Sequence, residues 1–199
     1  KGSLEWSPVA SVVDALDGAF YLAFGAVEPA RKRTLLALDI SGSMDGGEVA
    51  GVPGLTPRVG SAAMALVTAA TESQHAFVAF ETQLTELSIS PRQRLDDVCH
   101  QLQRMCMGGT DCSQPMLWAL TKKMPIDTFC VYTDSETWAG SMPPVEALKM
   151  YRDKMGIAAR LVVVGMVASE FSIADPADAG MLDVVGFDTA TPELISGFS

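Results

Sequence analysis

Residues 34–43 read Thr-Leu-Leu-Ala-Leu-Asp-Ile-Ser-Gly-Ser. The run 34–40 is apolar almost throughout and shows no polar alternation. Such a run fits a strand buried on both faces, as in a parallel sheet covered by helices. It closes on a carboxylate, Asp39, and hydroxyls follow at Ser41 and Ser43. Alternate residues of an extended segment share a side, so one acid and two hydroxyls face the same way. Gly42 lets the backbone turn closely between them. Hard cations such as magnesium take oxygen ligands in an octahedral shell that keeps several waters. Two serine hydroxyls can supply part of that shell, with carboxylates holding the waters from behind.

The elements around this stretch are read outward from it. Val9, Val12, Val13, Leu16, Phe20, Phe24 and Val27 recur at helical spacing, and Glu28-Pro29 ends that helix ahead of the first strand. Residues 45–56 are a glycine-rich loop. Thr56-Pro57 reads as an N-cap followed by proline at the first helical position, opening a helix through Val59, Ala63, Leu66, Val67 and Ala70. Strands are predicted over 76–80 and 84–89, joined tightly as in a hairpin. A helix over 93–105, a turn at Gly108-Gly109-Thr110-Asp111 and a helix through Met116, Leu117 and Leu120 come next. Strands over 128–132, 159–164 and 184–187, with helices over 145–155 and 191–198, complete the chain. This alternation predicts a single α/β domain over residues 1–199. Its sheet is Rossmann-like, doubly wound and mostly parallel, with helices on both faces and one antiparallel edge strand. Ligands of such sheets sit beyond the carboxyl ends of the strands, where Asp39, Thr110 and Asp134 fall.

Composition narrows the function. With 14 Lys and Arg against 24 Asp and Glu, the net charge is −10, which disfavours a polyanion partner. The short basic runs Arg31-Lys32-Arg33 and Lys122-Lys123 read as solvated faces. Cys99, Cys106, Cys112 and Cys130 form no C-x-x-C pair and read as reduced thiols, which predicts a cytoplasmic address. No apolar run approaches the length of a membrane span, and no signal peptide is visible. A start on Lys-Gly rather than Met is read as a piece of a longer protein.

The pattern Asp39-x-Ser41-x-Ser43, then Thr110 after a double glycine, then Asp134 at a strand end resembles the metal-ion-dependent adhesion site of von Willebrand factor A (vWA) domains. Further stretches are similar to the Ro autoantigen (TROVE-module) family. They are residues 15–21, 27–29 and 33–39, Gly108–Ser113, Thr133–Gly140, Ile173–Pro176, Gly180–Asp183 and Gly186–Asp188. The resemblance runs over nearly the whole chain from about residue 9, with a bacterial member as the expected source. It implies that Asp39, Ser41, Ser43, Thr110 and Asp134 hold one magnesium or manganese ion. An Asp or Glu of a protein partner would complete the shell. The family binds Y RNAs and misfolded small RNAs through a ring of helical repeats, and this chain carries no such ring. The rim of the site is expected at Gly46–Leu55, Asp45, Asp111, Glu136 and Trp138. Two of these have plainer readings: Asp45 as a solvated turn residue, Asp111 as a helix cap. Trp138 is equally well an ordinary packed aromatic.

Other readings fare less well. An aspartate-based phosphotransferase needs a second acid where Ser41 stands. His75 and His100, without a G-x-S-x-G elbow, do not make a serine hydrolase. No P-loop motif is present. The chain is therefore expected not to be an enzyme. Two alternatives to partner capture remain: a structural clasp for the RNA-binding ring, and direct RNA contact by this domain, which would need a basic face with stacking aromatics.

Overall fold

The computed structural model describes residues 7–105, 108–134, 139–167, 173–186 and 188–199. Its elements in order are α1 Ala10–Ala23, extended by the 3₁₀ turn Phe24–Ala26; β1 Thr34–Asp39; the 3₁₀ turn Gly42–Asp45; α2 Pro57–Thr71; β2 His75–Phe80; β3 Leu84–Leu87; and α3 Leu95–Gln103. They continue with α4 Gln114–Thr121, β4 Thr128–Thr133, α5 Pro144–Met155, β5 Arg160–Gly165, β6 Met181–Val185 and α6 Thr191–Phe198. The six strands lie in the order β3-β2-β1-β4-β5-β6. Every pairing is parallel except β2 with the edge strand β3, as expected.

Burial of β1 on both faces sets the layers. Leu36 and Leu38 join a cluster with Phe77, Tyr132 and Val164 that is roofed by α2 and α3 residues. Leu35 and Ala37 face the other way, with Val78, Phe129 and Val163, under α4 and α5. The period-two alternation of a strand produces these two cores from one run. Thr56 caps α2 by accepting the Val59 N–H at 3.4 Å, with Pro57 directly behind it.

The topology also chooses where a ligand can sit. From β1 the chain moves to β2 on one side, whereas β4 lies on the other side of β1. The strand order thus reverses between β1 and β4, the position at which open α/β sheets leave a crevice beyond their carboxyl ends. Asp39 ends β1 and Asp134 follows β4 at that crevice.

Several elements differ from expectation: β3 stops at Leu87, two residues short of the predicted 89, and β5 is shifted by one residue to Arg160–Gly165. The third helix is shorter, Leu95–Gln103. The last strand starts earlier, at Met181, because it takes its register from β5, with Leu161 opposite Met181 and Gly165 opposite Val185. The first helix spans the predicted range, but Val9, Val12, Val13 and Leu16 are exposed, between 48% and 65%. Only its last turns dock: Phe20, Tyr21 and Phe24 pack edge to face, and the Tyr21 hydroxyl accepts the Leu95 N–H at 3.0 Å. No described helix is long and apolar enough to cross a membrane.

Candidate metal centre

Asp39 is fully buried at the end of β1. One carboxylate oxygen accepts the Ser41 N–H at 2.8 Å, which bends the chain back over the strand end. The other accepts the Thr133 hydroxyl at 2.7 Å and, at 3.5 Å, that of Thr110. These described partners are all neutral. Burial raises the Asp39 pKa, hydrogen bonds from Ser41 and Thr133 oppose that rise, and the Asp134 charge adds to it. Two carboxylates thus converge with no basic side chain between them among the described residues, a setting that a cation would relieve.

The hydroxyls stand in front of this pair. Ser41 is buried and Ser43 exposed, with their oxygens 3.1 Å apart. Neighbouring oxygens in an octahedral magnesium shell stand about 3.0 Å apart when each is about 2.1 Å from the ion. The donor set therefore fits such an ion. Thr110 is buried and held by its carbonyl, which accepts the Ala139 N–H at 3.0 Å. Asp134 is half-buried. All five residues expected as ligands gather at the carboxyl ends of β1 and β4 and the turn before α4. Among the described residues no three His, Cys, Asp or Glu side chains group together, so this centre rests on hydroxyls plus two carboxylates.

The rim residues divide. Asp45 is gripped by Arg58, whose Nε and Nη2 donate to its two oxygens at 2.5 and 3.1 Å. Asp111 is buried and spent on its own turn: it accepts the Ser113 N–H and hydroxyl at 3.0 and 2.6 Å and the Gln114 amide at 2.8 Å. Both therefore do structural work; Asp111 stabilises the turn before α4, whose N-cap is Ser113 and makes no side-chain cap bond. Gly140, at φ +91°, leaves room for it, since a Cβ there would lie 2.5 Å from the Asp111 carboxyl carbon. Glu136 and Trp138 lie outside the described residues.

Two participants escaped the sequence reading. Thr133 lies just past the predicted strand 128–132, and its hydroxyl donates to Asp39. Arg58, after Pro57, drew no reading from the sequence, and it is 2% exposed. One cation of each basic run is paired with an acid. Arg33 is forked onto Asp127 and Lys122 lies 3.1 Å from Glu86. Arg33 holds the Asp127 carboxyl below the usual carboxylate range.

This sheet order, with its hydroxyl-rich turn at the switch point, defines a vWA-type fold. The family model for the Ro60 vWA domain matches residues 33–199, and the chain belongs to that family. It is 53% identical over its whole length to the RNA-binding protein RO60 of Deinococcus radiodurans, of which it spans 38%. The crystal structure of the Deinococcus RO (RSR) protein superposes with a TM-score of 0.89 at 54% identity, over 97% of this chain and 39% of that one. Two distant structures share the fold alone. Mussel proximal thread matrix protein 1 with a zinc-occupied MIDAS motif has a TM-score of 0.53 at 14% identity, over 85% of this chain and 46% of that one. Manganese-loaded TRAP protein of Plasmodium vivax has a TM-score of 0.52 at 15% identity, over 85% and 74%.

Proposed function

We propose that this chain is a metal-dependent adhesion module that captures an acidic side chain of a protein partner and performs no bond chemistry. The observation that carries the reading is the Ser41–Ser43 hydroxyl pair, at octahedral spacing in front of the buried Asp39. Ser41, Ser43 and Thr110 would touch a magnesium or manganese ion, with Asp39 and Asp134 holding its waters. A bound ion supplies an electrophilic position for an incoming carboxylate oxygen. The chain's own part is to keep direct charge on that ion low. Neutral hydroxyls sit in front, Asp39 is tied by hydrogen bonds, and Asp45 is turned away by Arg58. A carboxylate from outside then forms a charge-assisted contact with little internal competition. The zinc-occupied MIDAS motif named for the mussel protein, and the manganese named for the Plasmodium one, are in keeping with a cation on this fold.

RNA binding is assigned to the part of the longer protein that this chain does not span. The relatives are named RNA-binding proteins, and Arg33 and Lys122 are already paired with acids here. The cytoplasm is the proposed setting, in keeping with free thiols at Cys99 and Cys130.

The test has two halves. In the chelator-stripped chain, magnesium at about 100 times its Kd should raise Tm by roughly 5–10 °C, reversed by EDTA. On a peptide array, spots bound in magnesium should carry Asp or Glu, vanish with EDTA and persist at raised salt. No thermal shift, or array signal that ignores chelator and falls with salt, would refute the reading.

A further inference from the structure

Arg58 lies on the first turn of α2 with its guanidinium in the interior. Its fork reaches both ends of the metal-site turn. Nη2 donates to the Ser41 carbonyl at 3.2 Å, while Nε and Nη2 together hold Asp45. Ser41 opens that turn and Asp45 closes it, with Ser43 between them. Nη1 has no hydrogen-bond partner among the described residues. A buried guanidinium with an unsatisfied nitrogen is costly, and an apolar side chain would avoid the cost. What an apolar side chain cannot do is grip a carbonyl and a carboxylate four residues apart with one rigid plane.

We infer that Arg58 is a positioning residue of the metal centre: it clamps the two ends of the turn 41–45 so that the Ser41 and Ser43 hydroxyls stand at the spacing magnesium requires. This rests on the metal-binding reading above. Because Arg58 and Asp45 cancel in charge, the clamp acts through geometry. Magnesium demands near-ideal octahedral ligands, whereas calcium accepts longer and looser ones. Loosening the turn should therefore hurt magnesium far more than calcium.

The experiment is calorimetric titration of each ion into the wild type and the charge-neutral double variant Arg58→Met/Asp45→Asn, well below the melting temperature. The expected result is magnesium affinity weaker by about tenfold or more and calcium affinity within about threefold. Equal losses for both ions, or no loss for either, would overturn the inference while the wild-type isotherm upholds the metal site. Wild type that binds neither ion would overturn both. If the double variant does not fold, Arg58→Lys decides by the same criterion, since it keeps the charge and loses the fork.

Discussion

The two central strands, β1 and β4, carry aspartates at both poles of the sheet, one at the amino pole and two at the carboxyl pole, and the two poles treat them in opposite ways. At the amino pole Asp127, just before β4, meets Arg33, just before β1. The guanidinium donates to it at 2.8 and 2.5 Å, and the Arg33 backbone N–H adds a bond at 3.0 Å. At the carboxyl pole Asp39 ends β1 and Asp134 follows β4; Asp39 accepts hydroxyls and a backbone N–H, and neither has a basic partner among the described residues. The Asp127 pKa is lowered, chiefly by hydrogen bonding to Arg33, and the Asp39 pKa is raised, chiefly by burial. One pole balances its charge from within the chain. The other leaves Asp39 buried without a basic partner among the described residues, and the proposed metal site rests on that difference.

The comparison can be broken most easily at the carboxyl pole. Asp39→Ala should weaken magnesium binding by about 100-fold, the upper range for a residue holding a metal's waters, and leave the sheet folded by circular dichroism. Unchanged affinity would remove Asp39 from the site. Asp111→Ala sharpens the contrast within that pole, because its carboxylate already serves the turn before α4. It should cost about 1–3 kcal/mol of stability in urea unfolding, as removing a buried hydrogen-bond acceptor does, with magnesium affinity unmoved. At the amino pole Asp127→Asn should lower Tm by roughly 2–4 °C at neutral pH, again without touching metal binding.

The smallest effect is one of pH. A depressed folded pKa gives Asp127 a stabilising contribution that is present above its unfolded value, near about 3.9, and is lost as pH falls through the folded value. Wild type and Asp127→Asn should therefore differ in stability at pH 6 and converge in acid, as measured by urea midpoints. A gap that widens in acid would contradict the pairing.

Much of this was readable from the chain alone. The apolar run ending in Asp39 announced a strand buried on both faces, and Thr56-Pro57 announced the start of α2. The five residues of the proposed centre were named through the resemblance to vWA domains, and the structure places them at neighbouring strand ends and turns. What the sequence hid depends on long-range partners. Helical spacing places Val12 and Leu16 on one face but does not say whether anything packs there. The β6 register is imposed by β5, not by its own residues. Nothing local in the sequence singles out Arg58, because its acceptors lie 13 and 17 residues upstream, across a glycine-rich loop.

The account stands most directly on one titration: magnesium into the chelator-stripped chain, with Ser41→Ala alongside. It predicts a one-site isotherm for the wild type and loss of binding in the variant, whose fold and melting temperature stay close to wild type. Equal binding by both chains, or binding by neither, would contradict it.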